Sequence, residues 1–105
     1  MAFTRSGVRS SLAPPNSLLS FMGLKLEVPG WQETAEGLVR AFEFDDFSKA
    51  FGFISRVALV AETQQHHPDW SNSYGSVHIR LRTHDAGNKV TAKDYELAIA
   101  INALL

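Results

Sequence analysis

The stretch "DDFSKAFGFISRVALVAETQQ", Asp45 to Gln65, most constrains what this chain can become. Phe47, Ala50, Phe51, Ile54, Val57, Ala58 and Ala61 recur at helical spacing. Asp45 or Asp46 stands where an N-cap is wanted. At about 100° per residue, Phe53 and Val60 widen the apolar stripe to roughly half the circumference. One sheet does not need so wide a face. The surplus calls either for a second packing partner, such as another subunit, or for a helix sunk deeper in its own domain. The helix must stop before Pro68, because proline pushes the residue ahead of it out of the α region. "QQHHP" is therefore an exit loop.

Strand patterns flank the helix. Before it, "WQET" and "GLVRAFEF" are two short runs separated by "AEG" and read as a hairpin. In the second run Leu38, Arg40, Phe42 and Phe44 share one face, and Val39, Ala41 and Glu43 the other. After the helix come "DWSNSY", a turn at Gly75-Ser76, and "VHIRLRT", a second hairpin. Val77, Ile79 and Leu81 alternate strictly with His78, Arg80 and Arg82, which predicts one face on the core and one in water. His78 then belongs to the solvated face. "HDAGNK" is a loop in which Gly87-Asn88 suits positive φ. "TAKDYELAIAINALL" is the last helix, with Thr91 and Asp94 spaced as a capping box. Leu97, Ala98, Ile101 and Leu104 or Leu105 form its inward stripe. The order β-β-α-β-β-α, with short links inside each strand pair, predicts an α+β two-layer sandwich. Two helices would cover one face of a four-stranded antiparallel sheet. An open edge on so small a sheet needs covering or pairing with another chain.

At 105 residues the chain is one domain by length and can bury one modest core. It is 45% hydrophobic and 20% charged, with a formal net charge of -1. That balance gives no general case for nucleic acid or an anionic membrane as partner. No apolar run is long enough to span a bilayer. The absence of cysteine removes disulfides, thiol nucleophiles and thiolate metal sites, and fits a reducing, cytoplasmic setting. Residues 1–26 differ from the rest. They carry Arg5, Arg9 and Lys25 with no acidic residue, are Ser-rich, and are broken by Pro14-Pro15. They read as an extension that is either disordered or an organellar targeting segment. Residues 27–105 read as the single folded domain.

Three imidazoles remain to be explained. His66 and His67 leave the long helix, and His84 leaves the last strand. In a small sandwich those two loops can converge at one end of the sheet. A metal site needs imidazoles aimed at one point, usually with a carboxylate or fourth ligand. Adjacent histidines in an extended segment point to opposite sides, and no H-x-x-x-H or H-x-H spacing occurs. An acid/base site needs groups that titrate near neutral pH, which histidine does unaided. No Ser-His-Asp or Cys-His arrangement and no glycine-rich phosphate loop is present. Such a pocket suits proton transfer, such as addition or elimination of water, and needs no cofactor and no metal. The competing reading is that the histidines are ordinary polar loop residues.

"AETQQHHPDWSNSYGSVHIRLRTHDAGNKVTAKDYELAIAI" closely resembles the signature region of the pterin-4a-carbinolamine dehydratases. Glu62, His66, His67, Pro68, Asp69, Trp70, Tyr74, Thr83, His84, Gly87, Thr91 and Asp94 follow that family's pattern in order. Trp31, Leu38, Arg40, Phe42 and Phe44 fit upstream. The resemblance implies a two-layer sandwich that forms homodimers or homotetramers. It also implies dehydration of 4a-hydroxytetrahydropterin to quinonoid dihydropterin, which recycles the pterin of aromatic amino-acid hydroxylases. His66, His67 and His84 would be the catalytic imidazoles. Pro68, Thr83, His84, Asp85 and Ala86 would line the pterin site, with Asp94 a supporting carboxylate. Some relatives also act as dimerisation cofactors for a homeodomain transcription factor through the helical face. Two departures stand out. "SLLSFMGLKLEVPG" matches the family's first helix poorly, and the loop between His84 and Asp94 is one residue longer than a common form.

Overall fold

A computed structural model describes residues 28–105. The extension 1–26 and its predicted disorder or targeting role lie outside the described residues. Strands β1 (Gln32–Thr34) and β2 (Gly37–Glu43) precede helix α1 (Phe47–Gln64). Strands β3 (Asp69–Ser73) and β4 (Ser76–Leu81), a 3-10 turn (His84–Ala86) and helix α2 (Ala92–Asn102) follow. The strands form one antiparallel sheet in the order β1-β2-β4-β3. This is the predicted α+β arrangement of four strands and two helices.

The second strand of each hairpin meets the other at the centre of the sheet. Leu38 pairs with Leu81, Arg40 with Ile79 and Phe42 with Val77. Alternation then sends the apolar members of β4 to one face, where Val77, Ile79 and Leu81 are buried. The turn between β3 and β4 is Tyr74-Gly75, one residue earlier than the sequence predicts. The Gly75 carbonyl accepts the Phe44 amide at 2.8 Å. A Cβ on Gly75 would overlap the Phe44 carbonyl oxygen, so only glycine lets the hairpin come this close to the start of α1.

Asp46 caps α1, its side chain accepting the Lys49 amide at 2.8 Å. Ala50, Phe53, Ile54, Val57 and Ala61 are buried on this helix, and Leu97, Ala98 and Ile101 on α2. Phe53, fully buried, stacks at a tilt on Phe42 (4.8 Å) and Phe44 (5.0 Å). The apolar stripe is rotated from its expected centre. Phe47 and Phe51 remain 55% exposed and stack on each other at 5.9 Å. The domain's own core is filled by the Phe53 side of the stripe, so the predicted surplus faces outward. Just beyond α2, Leu104 packs against the core and Leu105 is exposed.

One side chain ties the beginning of the described chain to its end. Asn102 Oδ1 accepts from Trp31 Nε1 (2.8 Å) and Arg40 Nη1 (2.6 Å), while Asn102 Nδ2 donates to the Pro29 carbonyl (3.0 Å). No helix among the described residues is long and apolar enough to cross a membrane.

Candidate active site

The site is built where α1 and β4 end side by side. Gln65 takes a left-handed conformation (φ 54°) and its amide, like that of His66, folds back to the Ala61 carbonyl. This reversal turns His66 inward and leaves His67 on the surface. His66 is only 9% exposed, whereas the His67 side chain is 64% exposed. The neighbouring rings therefore take different environments, as adjacent residues of an extended segment should.

The other wall is the loop between β4 and α2. Thr83 pairs with Lys89 across it, the Thr83 amide donating to the Lys89 carbonyl at 2.8 Å. The Thr83 carbonyl accepts the amides of Ala86 (3.1 Å) and Asn88 (3.0 Å). Gly87 (φ 74°) and Asn88 (φ 63°) supply two successive left-handed residues, as their types allow. Thr91 caps α2 with Asp94 in its first turn.

Each imidazole has a different partner. His66 Nε2 lies 2.5 Å from Asp94 Oδ1. Asp94 is fully buried, and its Oδ2 accepts from Thr83 Oγ1 (2.9 Å) and the Thr91 amide (2.8 Å). A buried carboxylate is tolerated only when its oxygens are met by donors in this way. His67 Nε2 lies 2.9 Å from Glu62 Oε1, on the last turn of α1. His84 Nδ1 lies 2.8 Å from Asn88 Oδ1. Since a carboxylate can only accept, Nε2 carries the hydrogen in His66 and His67, and their Nδ1 atoms remain for other work.

Together these loops enclose a cavity of about 390 Å³ lined by Gln65, His66, His67, Pro68, Asp69, Thr83, His84, Asp85 and Lys93. That volume suits a small ligand. All three predicted imidazoles reach it, with Pro68, Thr83 and Asp85. Asp94 stands behind His66 rather than in the wall, and Ala86 does not line the cavity either. Gln65, Asp69 and Lys93 are lining residues that sequence pattern alone did not single out for the site. Asp69 is held in place by Arg80 and Arg82, each at 3.4 Å. A second depression, about 410 Å³, lies against the sheet around Val39, Ala41, Ser71, His78 and Arg80. Its single imidazole, His78, is exposed as expected of the solvated face, and shares the depression with Glu36 and Asp69 rather than with other imidazoles.

Residues 19–104 match the family model described as pterin 4 alpha carbinolamine dehydratase. The chain belongs to this family. A relative from Rhodopseudomonas palustris (strain BisB18), named a pterin-4-alpha-carbinolamine dehydratase, is 54% identical over 80 residues, 74% of this chain and 78% of its own. One of the same name from Prochlorococcus marinus is 45% identical over 92 residues, 85% of this chain and 95% of its own. Among solved structures, a transcriptional coactivator/pterin dehydratase from Brucella melitensis is similar with a TM-score of 0.68 and 44% identity. That match covers 73% of this chain and 83% of the other.

Proposed function

We propose that the chain dehydrates 4a-hydroxytetrahydropterin to quinonoid dihydropterin, with His66, His67 and His84 as its acid/base groups. The observation that carries this reading is the convergence of three imidazoles, each hydrogen-bonded to a different partner, on one small cavity in a member of a carbinolamine dehydratase family. In the reaction the C4a–O bond breaks. One imidazole gives a proton to the departing hydroxyl, which leaves as water. The ring nitrogen beside C4a gives its proton to a second imidazole and forms the new double bond to C4a. Each such transfer is worth about 10²–10⁴ in rate. Rings that leave the loop in different directions can serve two sides of a flat pterin. Pro68, Thr83 and Asp85 would bind it, with Ala86 beside them, while Asp94 holds His66. Nothing in these steps calls for a metal or cofactor.

On this reading the product feeds the recycling of tetrahydrobiopterin, and residues 27–105 act as one domain in the cytoplasm, or in an organelle if the extension is a targeting segment. The outward stack of Phe47 and Phe51, with exposed Leu59, favours assembly into a homodimer or homotetramer through α1. That same face, and the coactivator named in the Brucella structure, support a second reading as a scaffold for a transcription factor. Purified protein should speed the decay of chemically made 4a-hydroxytetrahydropterin, followed by absorbance. Decay at the uncatalysed rate would sink the enzymatic reading. Light scattering separates the second: a homotetramer that exchanges with no partner argues against it.

A further inference from the structure

We propose that Asn88 is a positioning residue that selects the tautomer of His84 and so makes Nε2 the nitrogen through which His84 accepts a proton in the cavity. This rests on the dehydratase reading for its consequence, but not for its geometry. A neutral histidine carries one ring hydrogen, and the partner at one nitrogen decides what the other can do. Free imidazole side chains in water favour the hydrogen on Nε2. His84 Nδ1 instead faces the amide oxygen of Asn88 at 2.8 Å, which holds the hydrogen on Nδ1. Among the described residues His84 Nε2 has no protein partner, and the ring lines the cavity. The lone pair offered there is therefore on Nε2. In His66 and His67 the engaged nitrogen is Nε2 and the partners are carboxylates. His84 differs from both in which nitrogen it presents and in having an uncharged partner.

The loop is shaped to deliver that amide. Asn88 sits at φ 63°, a conformation asparagine accepts more readily than most residues. Its own amide is anchored on the Thr83 carbonyl at 3.0 Å. Thr83 precedes His84 directly, so backbone and side chain of Asn88 grip both ends of one dipeptide. The titratable and charged groups that share the cavity with His84 are His66, His67, Asp69, Asp85 and Lys93. None of them is bonded to its Nδ1.

The test reads the tautomer directly. Protein labelled with 15N in histidine is compared by NMR above pH 8, with His84→Gln identifying the His84 signals. Wild type should show the hydrogen on Nδ1 of His84. Asn88→Gly, which removes the side chain without penalising positive φ, should return the hydrogen to Nε2. It should lower kcat by about two- to tenfold, the population change one neutral hydrogen bond produces, with KM little changed. Asn88→Asp retains the acceptor and should keep the Nδ1 tautomer. Its added carboxylate should move the acidic limb of the kcat–pH profile to higher pH. A wild-type ring with its hydrogen on Nε2 would mean that the amide is reversed, and would overturn the proposal. So would an Asn88→Gly protein with unchanged tautomer and kcat. If the protein shows no dehydratase activity at all, the catalytic reading fails while the NMR result still decides whether Asn88 sets the tautomer.

Discussion

Asp94→Asn is the sharpest probe of how the site is held. The carboxylate accepts three hydrogen bonds, from His66 Nε2 at 2.5 Å, Thr83 Oγ1 at 2.9 Å and the Thr91 amide at 2.8 Å. Asparagine has the same shape but only one accepting oxygen. Two donors meet at Oδ2 and one at Oδ1, so the amide oxygen should keep Thr83 and Thr91 and turn its NH₂ toward His66. That replaces one charge-assisted bond, worth about 1.5–3 kcal/mol, with a donor that suits only the other tautomer of His66. For a domain of this size each kcal/mol moves Tm by about 4–8 °C, so a fall of about 6–24 °C is expected by circular dichroism. The change in tautomer moves the ring hydrogen of His66 to Nδ1. The dehydratase rate should then fall by about 10²–10⁴ at the temperature where the variant is still folded. Asp94→Ala should do worse, because it strands the buried His66 ring and takes an acceptor from both Thr83 Oγ1 and the Thr91 amide. An Asp94→Asn protein with wild-type Tm and wild-type kcat would refute the idea that this carboxylate orients His66.

His67→Ala should abolish most activity yet leave Tm within about 4 °C, because an exposed ring bonded only to exposed Glu62 contributes little to stability; a large Tm loss would show that His67 is structural. Phe53→Ala should cost about 3–5 kcal/mol of unfolding free energy in denaturant, whereas Phe51→Ala should leave monomer stability within about 0.5 kcal/mol and shift sedimentation toward smaller species; equal effects would contradict the placement of the two rings. Tyr95 donates to Glu33 Oε1 at 2.6 Å, and burial, then that bond, pushes its phenol up to about 12 from 10.0. A raised folded value means its stabilisation is complete below pH 10 and is lost as pH rises toward 12, so Tyr95→Phe should flatten the fall in stability across that interval, and an unchanged slope would exclude Tyr95 as its source.

What the sequence disclosed follows the range of the forces involved. Strand β4 was legible because alternation at Val77, Ile79 and Leu81 is a local pattern with one physical cause. Pro68 marked the end of α1 for an equally local reason, and Thr91 with Asp94 announced the start of α2. The central pairing of β2 with β4 was not legible, since nothing in either strand encodes its neighbour. The rotation of the stripe on α1 was hidden for a related reason. Periodicity shows that Phe47, Phe51 and Phe53 are apolar, but the volume available under the helix decides which of them it covers. In the site, the loops carrying His66, His67 and His84 could be expected to meet. The bond from His66 to Asp94 spans 28 residues and depends on both chain reversals at once. Asn88 showed only as a residue fit for positive φ, because a bond between two loop side chains leaves no periodic trace.

The amide of Asn102 has a temporal consequence. It joins Pro29, Trp31 and Arg40 across separations of 73, 71 and 62 residues. A ribosome working from the amino end makes those three groups early and must add almost the whole domain before the residue that fastens them. Strands β1 and β2 can pair as soon as they emerge and β2 gains β4 next, yet the Asn102 junction stays open until the last turn of α2 arrives. Such closure over long separations is slow and comes late. A stall anywhere before residue 102 leaves the Trp31 indole and the Arg40 guanidinium without this partner. The junction of Pro29, Trp31 and Arg40 is therefore the last of these long-range contacts that can close.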